Sequence, residues 1–548
     1  MSAERPGAPC ADAAGKDEDR APRKSGDGTV GRVHDTGACG ELPEATPLPV
    51  ARTAALAMPP EQFRALGHAL VGRIADELAA LPARPVAVGR PTPAGIRARL
   101  GERGLPAHGE DAAQVLDEAA ALLFEQTPRS GHPRFHGYIA ASPAPVGMLA
   151  ELLAAAVNSN VALWHAAPVA SEIEAQTVRW LAELVGYPAG CGGLLVSGGS
   201  MANFVALLAA RRARLPWDVR ESGLRGAALA VYASRETHGW LDKAVDLAGL
   251  GTRSLRWIST DARQRLDVAA LAAAIDADIA AGAQPLMVVG TAGTVGTGAV
   301  DPLPAMAALC RRHGLWFHVD GAYGAPAACL VGSEHAGRLG SARDDLPGLC
   351  EADSLALDPH KWLYAPIDAG CVLVREPQHL QAAFGHRPPY YAAPGDDEGP
   401  NFHELGPENT RGLRALKVWL ALRVAGREGY RQMIADDIAL AQWLFERVQA
   451  TPRLEALTQQ LGIATFRYRP QHIDDEAALD ALNRELLARL QCDGRAYLSQ
   501  ALIGGRFALR ACIVNFATWR ADVDALPRLV QELGDALLRQ RQQVEPRS

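Results

Sequence analysis

Residues 353–374 read DSLALDPHKWLYAPIDAGCVLV. Two short apolar runs, SLAL and GCVLV, flank the tripeptide Pro359-His360-Lys361, and both have the length and bounding residues of buried strands. In an open parallel sheet, ligands bind beyond the carboxyl ends of the strands, so the residues that follow each apolar run are the ones to inspect. Lys361 is one of them. A lone lysine there is ordinarily solvated, and its meaning depends on what the neighbouring strands end in.

Outward from this segment, short apolar runs alternate with helical patterns. GGLLVS precedes MANFVALLAARRA, ALAVYAS precedes HGWLDKAVDLAGL, PLMVVGTAG precedes LPAMAALCRRHG, and LWFHVD comes before SLALD. Such alternation predicts an α/β domain around a largely parallel sheet. Four runs end in residues with chemical potential: Gly198-Gly199-Ser200, His238, Asp320 and Lys361.

The flanks differ. Residues 1–55 are rich in Gly, Pro, Ala and charge without an apolar period and read as a disordered tail, with Met58 as a second candidate start. From Pro59, Phe63, Leu66, Leu70, Ile74 and Leu78 recur at helical spacing, and AAQVLDEAAALLFEQ continues a helical segment over 59–144. The large α/β domain is assigned to 145–420. Helical AGREGYRQMIADDIALAQWLFERV, strand-like GIATFRYRP and RFALRACIVN, and helical VDALPRLVQELGDALL give a smaller α+β domain over 421–548.

The bulk numbers bound the function. A chain of 548 residues is long enough for two or three domains and a sizeable pocket. The net charge of -7 gives no general attraction to nucleic acid or to an anionic membrane. No apolar stretch of about 18 residues and no signal-peptide pattern occurs. Nine cysteines without C-x-x-C spacing fit a reducing, cytoplasmic setting rather than a disulfide framework or zinc site.

Taken singly, a strand-Gly-Gly-Ser-helix junction is a tight turn, His238 a surface histidine and Asp320 a turn former. Together they match one cofactor, pyridoxal 5'-phosphate. Its aldehyde needs a lysine for a Schiff base, its pyridine nitrogen a carboxylate, its phosphate a helix N-terminus, and its ring face a flat partner. Lys361, Asp320, Gly199 with Ser200, and His238 supply these in turn.

The segments DPHKWLY, HVDGAYG, SGGSMANFVALLAAR and LRALKVWLALRVAG resemble the group II pyridoxal phosphate-dependent decarboxylases, the family of aromatic amino acid, histidine and glutamate decarboxylases. The resemblance runs from about Pro59 to Leu538. It implies the fold type I architecture of pyridoxal phosphate enzymes, with a mostly parallel central sheet and helices on both faces. It also implies a homodimer with the active site at the subunit interface and N-terminal helices packed over the partner. Residue by residue, it implies that Lys361 bonds the cofactor, Asp320 holds the ring nitrogen, and Ala322 and His238 cover the two ring faces. Gly199, Ser200 and His360 would hold the phosphate, and Thr294 would lie near the ring substituents.

The implied reaction is decarboxylation of an L-amino acid, with a proton delivered by a tyrosine on a mobile loop. GHRPPYYAAPGDDEGPN, residues 385–401, is Gly/Pro-rich and polar like a lid, and offers Tyr390 or Tyr391. Two tyrosines packing the loop against the body are the alternative. Around HPRFHGYIAASP and NSNVALWHAAP, positions that are bulky and apolar in the aromatic amino acid enzymes are here Ser130, Ile139, Asn160 and Ala162. Aromatic or related substrates rank first, acidic and diamino acids behind. An oxidative branch that forms aldehydes is the mechanistic alternative. An aminotransferase lacks the Pro-His-Lys-Trp context, and a dinucleotide oxidoreductase is disfavoured because GTAGTVGTG lacks the G-x-G-x-x-G spacing. A non-catalytic regulator has no basic DNA-binding segment to support it.

Overall fold

A computed structural model describes residues 54–89, 91–101, 104–391 and 399–544. The expected tail lies outside the described residues except for 54 and 55. Residues 60–548 form one compact unit.

Seven strands make the larger sheet: β1 (Gly192–Val196), β2 (Leu229–Ser234), β3 (Leu255–Ile258), β4 (Gln284–Thr291), β5 (Trp316–Asp320), β6 (Ser354–Leu357) and β7 (Gly370–Val374). Their spatial order is β1-β7-β6-β5-β4-β2-β3. Only β7 runs against the others, pairing antiparallel with both β1 and β6. The runs read as near-continuous apolar residues because both faces are covered. One face packs on helices Pro168–Val185, Val268–Ala280 and Leu303–His313, and the other on Gly199–Arg214 and Trp240–Leu247. Alternation along β1 shows the division, with Leu195 in the first core and Leu194 and Val196 in the second.

A second, antiparallel sheet has the order β10-β11-β9-β8. Its strands are β8 (Leu454–Gln460), β9 (Ile463–Tyr468), β10 (Ser499–Ile503) and β11 (Arg506–Cys512). Helices Glu476–Asp493 and Arg520–Val544 bury Leu482, Leu486, Leu526 and Val530 with Phe466 and Leu509 of this sheet. The helical residues Ala415–Gln449 contact both halves and include position 420, where the sequence reading divides the chain. Gly426 interrupts them with φ 64° and ψ 173°, backbone angles that a side chain would disfavour.

Helices Pro60–Ala80, Pro93–Leu100, Ala112–Gln126 and Pro145–Val157 fill the N-terminal region. Asp111 caps the third by accepting the Gln114 N–H at 3.0 Å. The first buries none of its residues. The connecting segment after Gln126 is tied to the second sheet, since the His136 N–H donates to Tyr497 O at 2.8 Å and the Cys512 N–H to His136 O at 2.9 Å.

The His136 ring is fully buried with neither ring nitrogen partnered. Burial pushes its pKa down to about 4. Between that value and the usual 6.5, the unfolded chain binds a proton that the folded chain refuses, so folding weakens as pH falls through this window. We expect His136→Phe to remove about 3 kcal/mol of acid sensitivity between pH 7 and 4. Urea unfolding at both pH values reads this, and parallel losses in the two proteins would contradict it.

Candidate active site

The carboxyl ends of β1, β2, β4, β5 and β6 converge on a cavity of about 330 Å3. At the end of β1, Gly198 leads directly into helix Gly199–Arg214, whose first N–H groups have no helical acceptor. The backbone must come close here. A Cβ on Gly199 would lie 2.8 Å from Asp358 Oδ2 and 3.1 Å from the Ala322 Cβ. The absence of a side chain therefore leaves a cradle of amide donors at the positive end of a helix, the geometry that suits a phosphate.

Lys361 follows β6 in a tight turn, its N–H donating to Asp358 O at 2.9 Å. Its Nζ lies 2.9 Å from Asp358 Oδ2. Asp358 is buried, and its Oδ1 has no hydrogen-bond partner. His360 packs beside the cradle with Nε2 3.7 Å from Asp358 Oδ2. Burial lowers the His360 pKa, opposed by Asp358 and reinforced by Lys361.

Asp320 ends β5 and is 6% exposed. Its Oδ2 accepts the Trp240 Nε1–H at 2.8 Å and its Oδ1 the Ala322 N–H at 3.1 Å. His238 accepts the Trp240 backbone N–H on Nδ1 at 3.2 Å. Behind Asp320, His318 is enclosed. The Trp316 Nε1–H donates to Ser354 Oγ at 2.8 Å, which leaves the Ser354 O–H for His318 Nδ1 at 2.8 Å and the His318 Nε2–H for Asn203 Oδ1 at 2.6 Å. Burial lowers the His318 pKa to about 4, against the opposing charge of Asp320, so this relay is neutral at pH 7.

The structure brings Gly199, Ser200, His238, Asp320, Ala322, His360 and Lys361 to one cavity, along with Ile139. Thr294 is different. It is fully buried within the turn after β4, its Oγ1 bonded to Thr297 Oγ1 at 2.9 Å and to the Ala299 N–H at 3.1 Å. Thr291, the last residue of β4, lines the cavity where the sequence reading placed Thr294. Asn160 is exposed and accepts the Arg411 N–H at 2.9 Å, a backbone-satisfying role. Ala162 is buried elsewhere, and Ser130 lines a separate apolar cavity with Leu78 and Phe124.

Tyr391 packs edge-on against His403, ring centroids 4.9 Å apart, and is not among the residues lining the cavity. The Tyr390 side chain and residues 392–398 of the expected lid lie outside the described residues. Sequence reasoning passed over Trp240, Asn203, Thr291, Tyr323 and Asp358. Asp358 had a signal, a carboxylate three residues before Lys361 in the same turn. Tyr323 lay within HVDGAYG without a role of its own, and the others read as helix or strand residues.

Pyridoxal phosphate fits these residues. The side-chain-free cradle matches its phosphate, the buried carboxylate of Asp320 its ring nitrogen, and Lys361 its aldehyde. Residues 94–469 match the family described as pyridoxal-dependent decarboxylase conserved domain. The chain is 37% identical to an aromatic-L-amino-acid decarboxylase of Bacillus atrophaeus, over 83% of this chain and 92% of that one. It is 34% identical to a tyrosine decarboxylase of Oryza sativa subsp. japonica, over 92% and 97% of the two chains. The crystal structure of Oryza sativa TDC with PLP and tryptamine superimposes with a TM-score of 0.80 at 29% identity, covering 88% of this chain and 99% of that one. A crystal structure of Rhodiola rosea 4-hydroxyphenylacetaldehyde synthase superimposes with a TM-score of 0.77 at 27% identity, covering 88% and 99%. With its lysine, carboxylate and phosphate cradle gathered on this fold, the chain belongs to the pyridoxal-dependent decarboxylase family and is a pyridoxal phosphate-dependent carboxy-lyase.

Proposed function

We propose that the enzyme converts an aromatic L-amino acid to its amine and carbon dioxide. The observation that carries this is the single cavity walled by Lys361, Asp320 and His238 in a chain that aligns with nearly the whole of an aromatic-L-amino-acid decarboxylase. When bound, pyridoxal phosphate supplies an aldehyde for a primary amine and a conjugated ring that stabilises negative charge at the neighbouring carbon.

The chain's own residues do the rest. The amides of Gly199 and Ser200, with His360, would hold the phosphate, and Asp320 would hold the ring nitrogen and its proton. His238 covers one ring face and Ala322 the other. Lys361 would supply the amine that holds the cofactor's aldehyde. The cavity walls, among them Ile139, would orient the substrate's bond from Cα to the carboxylate, and that orientation would select the bond that breaks. A tyrosine of the lid segment, Tyr390 or Tyr391, returns a proton to Cα.

We assign the functional unit as a homodimer acting in the cytoplasm, with segment 59–144 as its dimerisation region and residues 145–420 as its cofactor-binding part. Supporting the first, Phe63 and Leu123 within that segment leave large apolar side chains exposed, as do Leu149, Leu152 and Val157 on the adjoining helix. The second rests on nine cysteines without C-x-x-C spacing, which fit a reducing setting. Sedimentation should give twice the chain mass; a monomer at micromolar concentration rejects the dimer.

The substrate is tested by incubating the cofactor-loaded protein with pooled L-amino acids and identifying products by mass spectrometry while carbon dioxide is followed. An aromatic amine with equimolar carbon dioxide is expected. An amine from an acidic or diamino acid would overturn the substrate assignment. The resemblance to an aldehyde synthase structure supplies the second reading, an oxidative branch that consumes dioxygen and releases aldehyde, ammonia, carbon dioxide and peroxide. Replacing Tyr390 or Tyr391 by Phe should lower amine yield about tenfold or more and raise aldehyde. Unchanged product ratios in both variants remove the tyrosine from the mechanism.

A further inference from the structure

Trp240 touches both groups that grip the cofactor ring. Its backbone N–H donates to His238 Nδ1 at 3.2 Å, and its indole Nε1–H donates to Asp320 Oδ2 at 2.8 Å. The first bond places the proton of a neutral His238 on Nε2 and restrains rotation of the imidazole. The second, with the Ala322 N–H on Oδ1, fixes the plane of the Asp320 carboxylate. Each carboxylate oxygen is thereby held by one donor of the cavity wall, which leaves the remaining lone pairs for a ring nitrogen.

The indole is itself held. It is 3% exposed and meets the His318 ring edge-on, with centroids 6.0 Å apart and an 84° interplanar angle. His318 is locked in turn by Ser354 and Asn203. Trp240 is also the first residue of helix Trp240–Leu247, so its backbone position is set by that helix, with Leu241 and Val245 packed in the core. One residue thus links the loop that carries the ring-covering histidine, through its backbone N–H, to the strand that carries the ring-holding carboxylate, through its indole.

We propose that Trp240 is a positioning residue for the cofactor ring, holding Asp320 and His238 in one fixed arrangement before the cofactor arrives. The proposal uses the cofactor of the family and is independent of which amino acid is the substrate. Its sequence signature is the third residue after Thr237 in Thr-His-Gly-Trp, two positions beyond the histidine.

The test compares two ligands in Trp240→Phe, which keeps an aromatic ring and the backbone N–H but removes the indole donor. Dissociation constants are measured for pyridoxal 5'-phosphate and for its carbocyclic analogue, in which the ring nitrogen is C–H. The natural cofactor should bind about tenfold more weakly to the variant, the cost of an unfixed charged hydrogen-bond partner. The analogue offers Asp320 nothing to bind, and its affinity should change less than about twofold. With the natural cofactor, kcat should fall while KM stays within about twofold. Equal losses for both ligands would show that Trp240 only packs the site, and no loss for either would show that Asp320 needs no external hold; each overturns the proposal. Should the phenylalanine variant fail to fold, replacing the indole by benzothiophene, which keeps its size and lacks the N–H, reads the same ratio.

Discussion

Lys361→Ala is expected to lower turnover by at least about 1,000-fold while the protein still binds its cofactor. Lys361 is the cavity's amine at the end of β6, held within 2.9 Å of Asp358 Oδ2. Removing it takes away the proposed covalent tether but not the proposed phosphate cradle at Gly199 or the carboxylate of Asp320. Non-covalent binding therefore persists, and the near-visible absorption of a lysine-bound cofactor disappears. Added methylamine should restore part of the activity, because a small amine can enter the space left by the side chain. Full decarboxylase activity in the variant would contradict the assignment of Lys361.

The largest expected loss of stability lies elsewhere. Arg411 and Glu174 form a buried ion pair, 1% and 0% exposed at their side chains. The Arg411 guanidinium also donates to Val161 O at 3.1 Å and Leu195 O at 2.6 Å, and Glu174 Oε1 accepts the Leu195 N–H at 2.8 Å. The pair thus satisfies both backbone groups of a residue in β1, three positions before Gly198 and the cradle. Arg411→Leu leaves a carboxylate buried without its cation, a change that costs about 3–5 kcal/mol. Urea unfolding should show that loss, and cofactor affinity should fall with it because β1 sets the cradle. A change below about 1 kcal/mol would mean that the carboxylate finds another partner.

The parallel strands were legible in the sequence because both their faces are buried, which turns β4, β5 and β6 into continuous apolar runs bounded by Gly, Asp and Pro. Their carboxyl ends then named Gly199, His238, Asp320 and Lys361 without any coordinates. Three of the four edge strands were not legible. Leu454–Gln460 is half-buried throughout and rich in polar residues, Ser499–Ile503 alternates buried and exposed positions, and Leu255–Ile258 is only four residues long. Each depends on pairing with a neighbouring strand rather than on its own pattern.

The site failed to read out wherever tertiary hydrogen bonding decides a role. Thr294 and Thr291 both sit in GTAGTVG, and only the turn bonded through Thr297 and Ala299 determines which of them reaches the cavity. Trp240 looks like a helix-opening apolar residue until its indole is seen on Asp320. Asn160 lay among candidate specificity positions, whereas the fold uses its amide oxygen to satisfy the Arg411 backbone.

Reduction of the cofactor-loaded enzyme with borohydride, followed by peptide mapping, tests the central claim most directly, because reduction fixes the cofactor to whichever amine holds it. A single phosphopyridoxyl mass on the peptide carrying Lys361 is the predicted result. A label on another lysine, or none on a protein that retains decarboxylase activity, would contradict the account.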